Sequence, residues 1–102
     1  MVVVRLVFQI KWGRAQQVVE ALKKDTDMMQ RIMGPSVRWR LLTDLSGPFN
    51  TLVQEIEVES LASWEKLRLK AFSDPEFQAA QVALDGLYES GTQEFYTIEA
   101  TL

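Results

Sequence analysis

The chain has 102 residues, 47% apolar and 25% charged, with 11 Lys and Arg against 14 Asp and Glu for a formal charge of −3, and it contains neither cysteine nor histidine. Without cysteine there are no disulfides, thiolate nucleophiles or Cys-type zinc sites, and without histidine the commonest general base near neutral pH and the commonest metal and haem ligand are missing. The acidic balance, with no basic cluster, argues against nucleic acid as a partner. This length suits a single domain over residues 1–102 whose core buries about 60 to 68% of the unfolded surface, and no repeat or linker divides it. No apolar run approaches the roughly 20 residues that span a bilayer. The start, Met1-Val2-Val3-Val4-Arg5, lacks the basic-then-apolar order of a signal peptide. A cytoplasmic protein with no membrane partner is therefore expected.

Val2 to Trp12 alternates, with Val2, Val4, Leu6, Phe8, Ile10 and Trp12 on one side and Val3, Arg5, Val7, Gln9 and Lys11 on the other, as in a long strand with one apolar face. Gly13 breaks it. From Arg14 the spacing becomes helical, with Ala15, Val18, Val19, Leu22, Thr26, Met29, Ile32 and Met33 forming a stripe of about five turns that Gly34-Pro35 closes.

Two alternating runs follow, Val37-Arg38-Trp39-Arg40-Leu41-Leu42-Thr43 and Leu52-Val53-Gln54-Glu55-Ile56-Glu57-Val58-Glu59, separated by the turn-rich loop Asp44 to Asn50. Folding them antiparallel about Gly47-Pro48 sets Val37 opposite Val58, Trp39 opposite Ile56, Arg38 opposite Glu57, Arg40 opposite Glu55 and Leu42 opposite Val53. A slip of one residue would set apolar against charged side chains throughout, so the register is specified.

Ser60 is placed to cap a helix whose Leu61, Trp64, Leu67, Ala71 and Phe72 fall near one side. At Ser73-Asp74-Pro75-Glu76 the helix restarts, with either Ser73 as cap and Glu76 three residues on, or Asp74 as cap with Pro75 first. The last helix is expected to run to about Ser90, burying Phe77, Ala80, Leu84 and Leu87, and to stop at Gly91. Thr92 to Thr101 alternates again, with Tyr96, Ile98 and Ala100 on its more apolar side and Phe95 on the other. Strand, helix, strand, strand, broken helix, strand is the order of a ferredoxin-like βαββαβ α+β fold. Right-handed crossovers give a four-stranded antiparallel sheet of order 4-1-3-2 with the helices on one face.

The wording of the connections resembles a known group. Leu42-Thr43-Asp44-Leu45-Ser46-Gly47-Pro48-Phe49-Asn50 between the hairpin strands, Glu59-Ser60-Leu61-Ala62-Ser63-Trp64-Glu65 at a helix start, Asp74-Pro75-Glu76-Phe77-Gln78 and Gly91-Thr92-Gln93-Glu94-Phe95-Tyr96 are similar to the dimeric α+β barrel proteins, in particular their NIPSNAP-like and antibiotic-monooxygenase-like small domains. The resemblance implies a homodimer in which the helix-free sheet face meets a partner subunit. That superfamily holds oxygenases, haem-degrading enzymes and isomerases, so the fold does not name the activity. Its haem-degrading members use a histidine that this chain lacks. Its cofactor-free oxygenases use Asn and Trp beside a polycyclic substrate, and the one asparagine here, Asn50, falls in the hairpin loop.

Three groups of side chains are candidates for function. Arg38, Arg40, Glu55 and Glu57 read first as a cross-strand ladder of ion pairs, since alternating charges neutralise each other and make a poor ion trap. With Val53, and with Val3, Val7, Leu42 and Phe95, they give the open sheet face a mixed character that suits a dimer contact. Gln54 is the one amide on the helix-facing side, where it orients a ligand, bonds to a helix backbone or lies at a dimer seam. Trp39, Gln54 and Trp64 are accordingly the candidate ligand-binding residues for a small apolar or aromatic molecule between sheet and helices, although aromatic residues also serve simply as core. No metal spacing, phosphate loop or catalytic triad is present, no cofactor is expected, and no catalytic residue can be named. A homodimeric binding protein, a cofactor-independent monooxygenase or isomerase acting on an aromatic or polyketide-like substrate, and a structural dimerisation module are the readings left open.

Overall fold

A computed structural model describes residues 1–102. Its elements are β1 (Val2–Ile10), α1 (Ala15–Lys24), α2 (Thr26–Met33), β2 (Arg38–Thr43), β3 (Thr51–Val58), α3 (Leu61–Phe72), α4 (Pro75–Ala83) and β4 (Tyr88–Thr97). The four strands form one sheet of order β2-β3-β1-β4, the expected order read from its other edge, and every neighbouring pair is antiparallel. Val4 and Ile10 of β1 and Leu52, Ile56 and Val58 of β3 share one face, as their spacing of two requires, and all are buried against helices. Val18, Val19 and Leu22 of α1 cover Ile10 and Leu52, while Trp64 of α3 covers Val4, Ile56 and Val58.

The hairpin pairs as its pattern dictates: Arg38 with Glu57, Trp39 with Ile56, Arg40 with Glu55 and Leu42 with Val53. The ladder stops at Arg38, so Val37 lies just outside it. Its loop is closed by Asp44, whose Oδ1 accepts the Thr51 amide at 3.0 Å.

Several boundaries differ from expectation. The stripe from Arg14 to Met33 is two helices, because at Asp25 the backbone leaves helical geometry and the Thr26 hydroxyl bonds back to the Lys23 carbonyl at 3.2 Å. The break re-phases the stripe, so that Met28 is buried with Met29 and Ile32. β1 ends at Ile10, and Trp12 stands in a turn, 77% exposed, edge-on to Phe49. At the α3–α4 junction Asp74 is the cap, accepting from the Glu76 and Phe77 amides at 3.0 and 3.2 Å, while the Ser73 hydroxyl turns back to the Leu69 carbonyl. Arg31 of α2 grips Asp74 at 2.6 Å and Glu76 at 2.9 Å, and this pairing holds the Asp74 carboxyl down to about 2.

The last third of the chain holds the largest corrections. α4 stops at Ala83, Gly86 turns the chain at φ +81°, and β4 starts at Tyr88, ahead of the expected Thr92. Gly91 is thus a strand residue paired with Phe8 and not a helix stop. The pairing also sets Phe95 opposite Val4 and Tyr96 opposite Val3, so Phe95 is on the helix side and Tyr96 on the open side, the reverse of the expected faces. Two adjacent aromatics give alternation no preference. The bulge between Gln9 and Ile10 belongs to the pairing that decides it.

Gly91 is required by a close approach. A Cβ there would lie 2.7 Å from Cδ1 and 2.9 Å from Cε1 of Phe8, whose ring is held edge-on by Tyr88 at 4.9 Å. Gly91→Ala is expected to lower stability by about 1–3 kcal/mol in urea titration, and Phe8→Leu in the same chain should recover part of that loss. An alanine variant as stable as the natural chain would show that the ring moves aside freely.

Candidate functional site

The helices do not close down on the sheet everywhere. Between α3 and α4 on one side and β1, β3 and β4 on the other lies a cavity of about 430 Å³. Leu6 and Phe8 of β1, Gln54 and Ile56 of β3 and Gln93 of β4 form its floor, while Trp64, Leu67, Ala71 and Phe77 roof it and Met29, Ile32 and Met33 of α2 close one end. This explains why Phe77, Leu67 and Ala71 are only half-buried although their helical spacing marks them as core. They face empty space.

Gln54 is the best-defined polar group there. The Trp39 indole donates from Nε1 to Gln54 Oε1 at 2.9 Å. Indole can only donate, so the carbonyl end of the amide is committed to Trp39 and the NH2 end is left without a partner in the chain. Of the three candidate ligand residues, Gln54 and Trp64 line the cavity, whereas Trp39 stands behind Gln54 and lines a neighbouring hollow between α2 and β2. The Gln54–Trp39 contact is the diagonal one across the hairpin, since Gln54 directly opposes Leu41.

Sequence reasoning did not single out the other polar residues of the lining, Arg68, Gln81, Tyr88, Thr92 and Gln93. Gln93 and Tyr88 depend on the start of β4, which the composition of the preceding helix conceals. Burial pushes the Tyr88 phenol up from its usual range, so it stays protonated and able to donate. No Asp or Glu lines the cavity.

The opposite sheet face carries Arg38, Arg40, Val53, Glu55 and Glu57, all on the side away from the helices. Arg5 and Glu94 extend their ladder. The register aligns Arg40, Glu55, Arg5 and Glu94 in one row across all four strands. Arg40 pairs with Glu55, and Arg5 lies 3.2 Å from both Glu55 and Glu94. The next row is apolar apart from its last member: Leu42, Val53, Val7 and Thr92. No three acidic side chains gather in a way that could hold a metal ion, and no helix is long and apolar enough to cross a membrane.

No protein-family model and no curated protein matches the chain. Solved structures do. A NIPSNAP family protein from Agrobacterium tumefaciens superposes with a TM-score of 0.84 at 20% identity, over 94% of this chain and 90% of that one. A NIPSNAP domain protein from Burkholderia xenovorans gives 0.79 at 24% identity over 100% and 98%. A proposed antibiotic biosynthesis monooxygenase from Nitrosomonas europaea gives 0.75 at 13% identity over 98% and 100%. At such identities what is shared is architecture, and the chain has the ferredoxin-like α+β fold of NIPSNAP proteins and of antibiotic-biosynthesis-monooxygenase-like domains.

Proposed function

We propose that the chain is a homodimeric α+β barrel protein that binds a small apolar or aromatic molecule in the cavity between sheet and helices. The observation that carries this reading is the Gln54 amide, oriented by Trp39 and left with a free NH2 group beside a largely apolar space of about 430 Å³. Apolar walls with a few fixed polar groups, in a volume of about 300–1,000 Å³, are the usual make-up of a ligand site. A purely structural module gains nothing from a cavity that costs packing.

An oxygenase or isomerase acting on an aromatic or polyketide-like molecule is the second reading. Tyr88 favours it, as a protonated phenol lining the cavity that can donate to a developing oxyanion. Against it stands the lack of any carboxylate among the lining residues to take a proton.

Native mass spectrometry of protein purified from its own host is expected to show a bound small molecule. Gln54→Leu alone would strand the Trp39 indole, so it is best paired with Trp39→Phe. The double variant should hold that molecule about ten-fold more weakly, as the loss of one hydrogen bond predicts. Unchanged affinity would remove Gln54 from the site, and a chain that carries and accepts no ligand would leave the dimerisation module as the function.

A further inference from the structure

Charge is unevenly placed around the cavity. Of the nineteen lining residues Arg68 alone carries a charge. Four of the other five arginines, Arg5, Arg31, Arg38 and Arg40, lie within 4.0 Å of a carboxylate, and Arg14 reaches Gln17. Arg68 has no such partner. Glu65, one turn earlier on the same helix, forms no ion pair with it, and the Arg68 guanidinium instead lies 5.7 Å over the Phe72 ring. That cation–π approach uses none of its N–H groups in a hydrogen bond and leaves the guanidinium fork open. The residue is exposed yet lines the cavity, which places it at the mouth.

We infer, building on the cavity reading above, that the ligand is a monoanionic amphiphile: an apolar or aromatic body inside the cavity and one carboxylate at the mouth, bound by Arg68. The guanidinium fork matches a carboxylate with two parallel hydrogen bonds. A cationic group would meet Arg68 with no acid among the lining residues to offset it. A dianion would call for a second cation, and the nearest lysines along α3, Lys66 and Lys70, line a different hollow on the far side of Leu67. Inside, Gln54, Gln81 and Gln93 offer only neutral hydrogen bonds, which suit carbonyl or hydroxyl groups on the body and not a further charge.

Calorimetric titration with matched probes tests this. The probes are 2-naphthylacetate, 2-naphthylacetamide and 2-(2-naphthyl)ethylammonium, with decanoate, decanamide and decylammonium as an aliphatic set. The carboxylates should bind about ten-fold more tightly than the amides, and the ammonium compounds most weakly. Arg68→Gln should bring carboxylate down to amide, and Arg68→Glu should reverse the order in favour of ammonium. Equal binding of carboxylate and amide, or a carboxylate preference that survives Arg68→Gln, overturns the inference while leaving the cavity reading intact. Failure of both probe sets, neutral members included, overturns both.

Discussion

Trp64→Ala is expected to destabilise the chain by about 3–5 kcal/mol, lowering the thermal midpoint by roughly 15 to 25 °C. Trp64 is 9% exposed and is the only residue of α3 that is buried. Its ring covers Val4, Ile56 and Val58, so one side chain joins β1, β3 and α3 in a single cluster. The helix presents it reliably because Ser60 caps the N-terminus, its Oγ accepting the Ser63 amide at 3.1 Å. Because the cavity already lies on one side of the ring, truncation would enlarge an existing void that the neighbouring Leu67 and Ala71 are placed to fill only in part. A domain of this size has about 5–15 kcal/mol in total, so the variant would be close to unfolding. A loss below about 1 kcal/mol in urea titration, against the 3–5 expected, would show that the ring is lightly packed and free to act as a ligand wall alone. Trp64 is therefore a support before it is a binding residue, and ligand affinity is better tested at Gln54 and Arg68.

The hairpin was legible because its two runs carry apolar and charged residues in complementary alternation, so one register satisfies both faces and its neighbours satisfy neither. The order of the sheet followed from the hairpin together with crossover handedness. What alternation could not set were places where a side chain or a bulge competes with the pattern. The Thr26 hydroxyl interrupts a helix whose stripe continues through it, and Gly91 looks like a helix stop until Phe8 is seen to occupy its Cβ position. Once β4 is shifted, Tyr88 and Gln93 enter the cavity wall and Glu94 joins Arg5. Gln54 stood out as the single amide in an apolar row, but its partner Trp39 is diagonal to it, a contact that strict cross-strand pairing passes over. Arg68 gave no signal at all, since an arginine on a helix is ordinarily solvated and only the empty space beneath α3 gives it a role.

Leu42→Arg is expected to shift the chain from a species of twice 11.7 kDa to one of 11.7 kDa in sedimentation at micromolar concentration. The helix-free face is suited to such a contact. Its paired positions carry Arg5, Arg38 and Arg40 against Glu55, Glu57 and Glu94, three cations and three anions, so the face is neutral within itself. Stacking two such faces about a two-fold axis brings no net charge together, and the pairs already formed lessen the cost of removing them from water. Beside the charged row, Leu42, Val53 and Val7 supply the apolar contact. Tyr96 takes the place on this face that the sequence had suggested for Phe95, and its hydroxyl bonds Glu94 at 3.0 Å. Arg38, 4.0 Å from Glu57 with its side chain 84% exposed, is the loosest pair and the one freest to reach a partner. Val53→Arg should also break the dimer, but Val53 is only 8% exposed within the single chain, so that change mixes folding with association. Leu42, on the edge strand at 37% exposure, separates the two effects. A contact of this kind should bury about 1,200–2,000 Å², and Leu42→Arg should leave the unfolding midpoint of the monomer nearly unchanged while abolishing the larger species. If the natural chain sediments at 11.7 kDa throughout, the open face is a wet surface and the dimeric barrel is excluded for this protein.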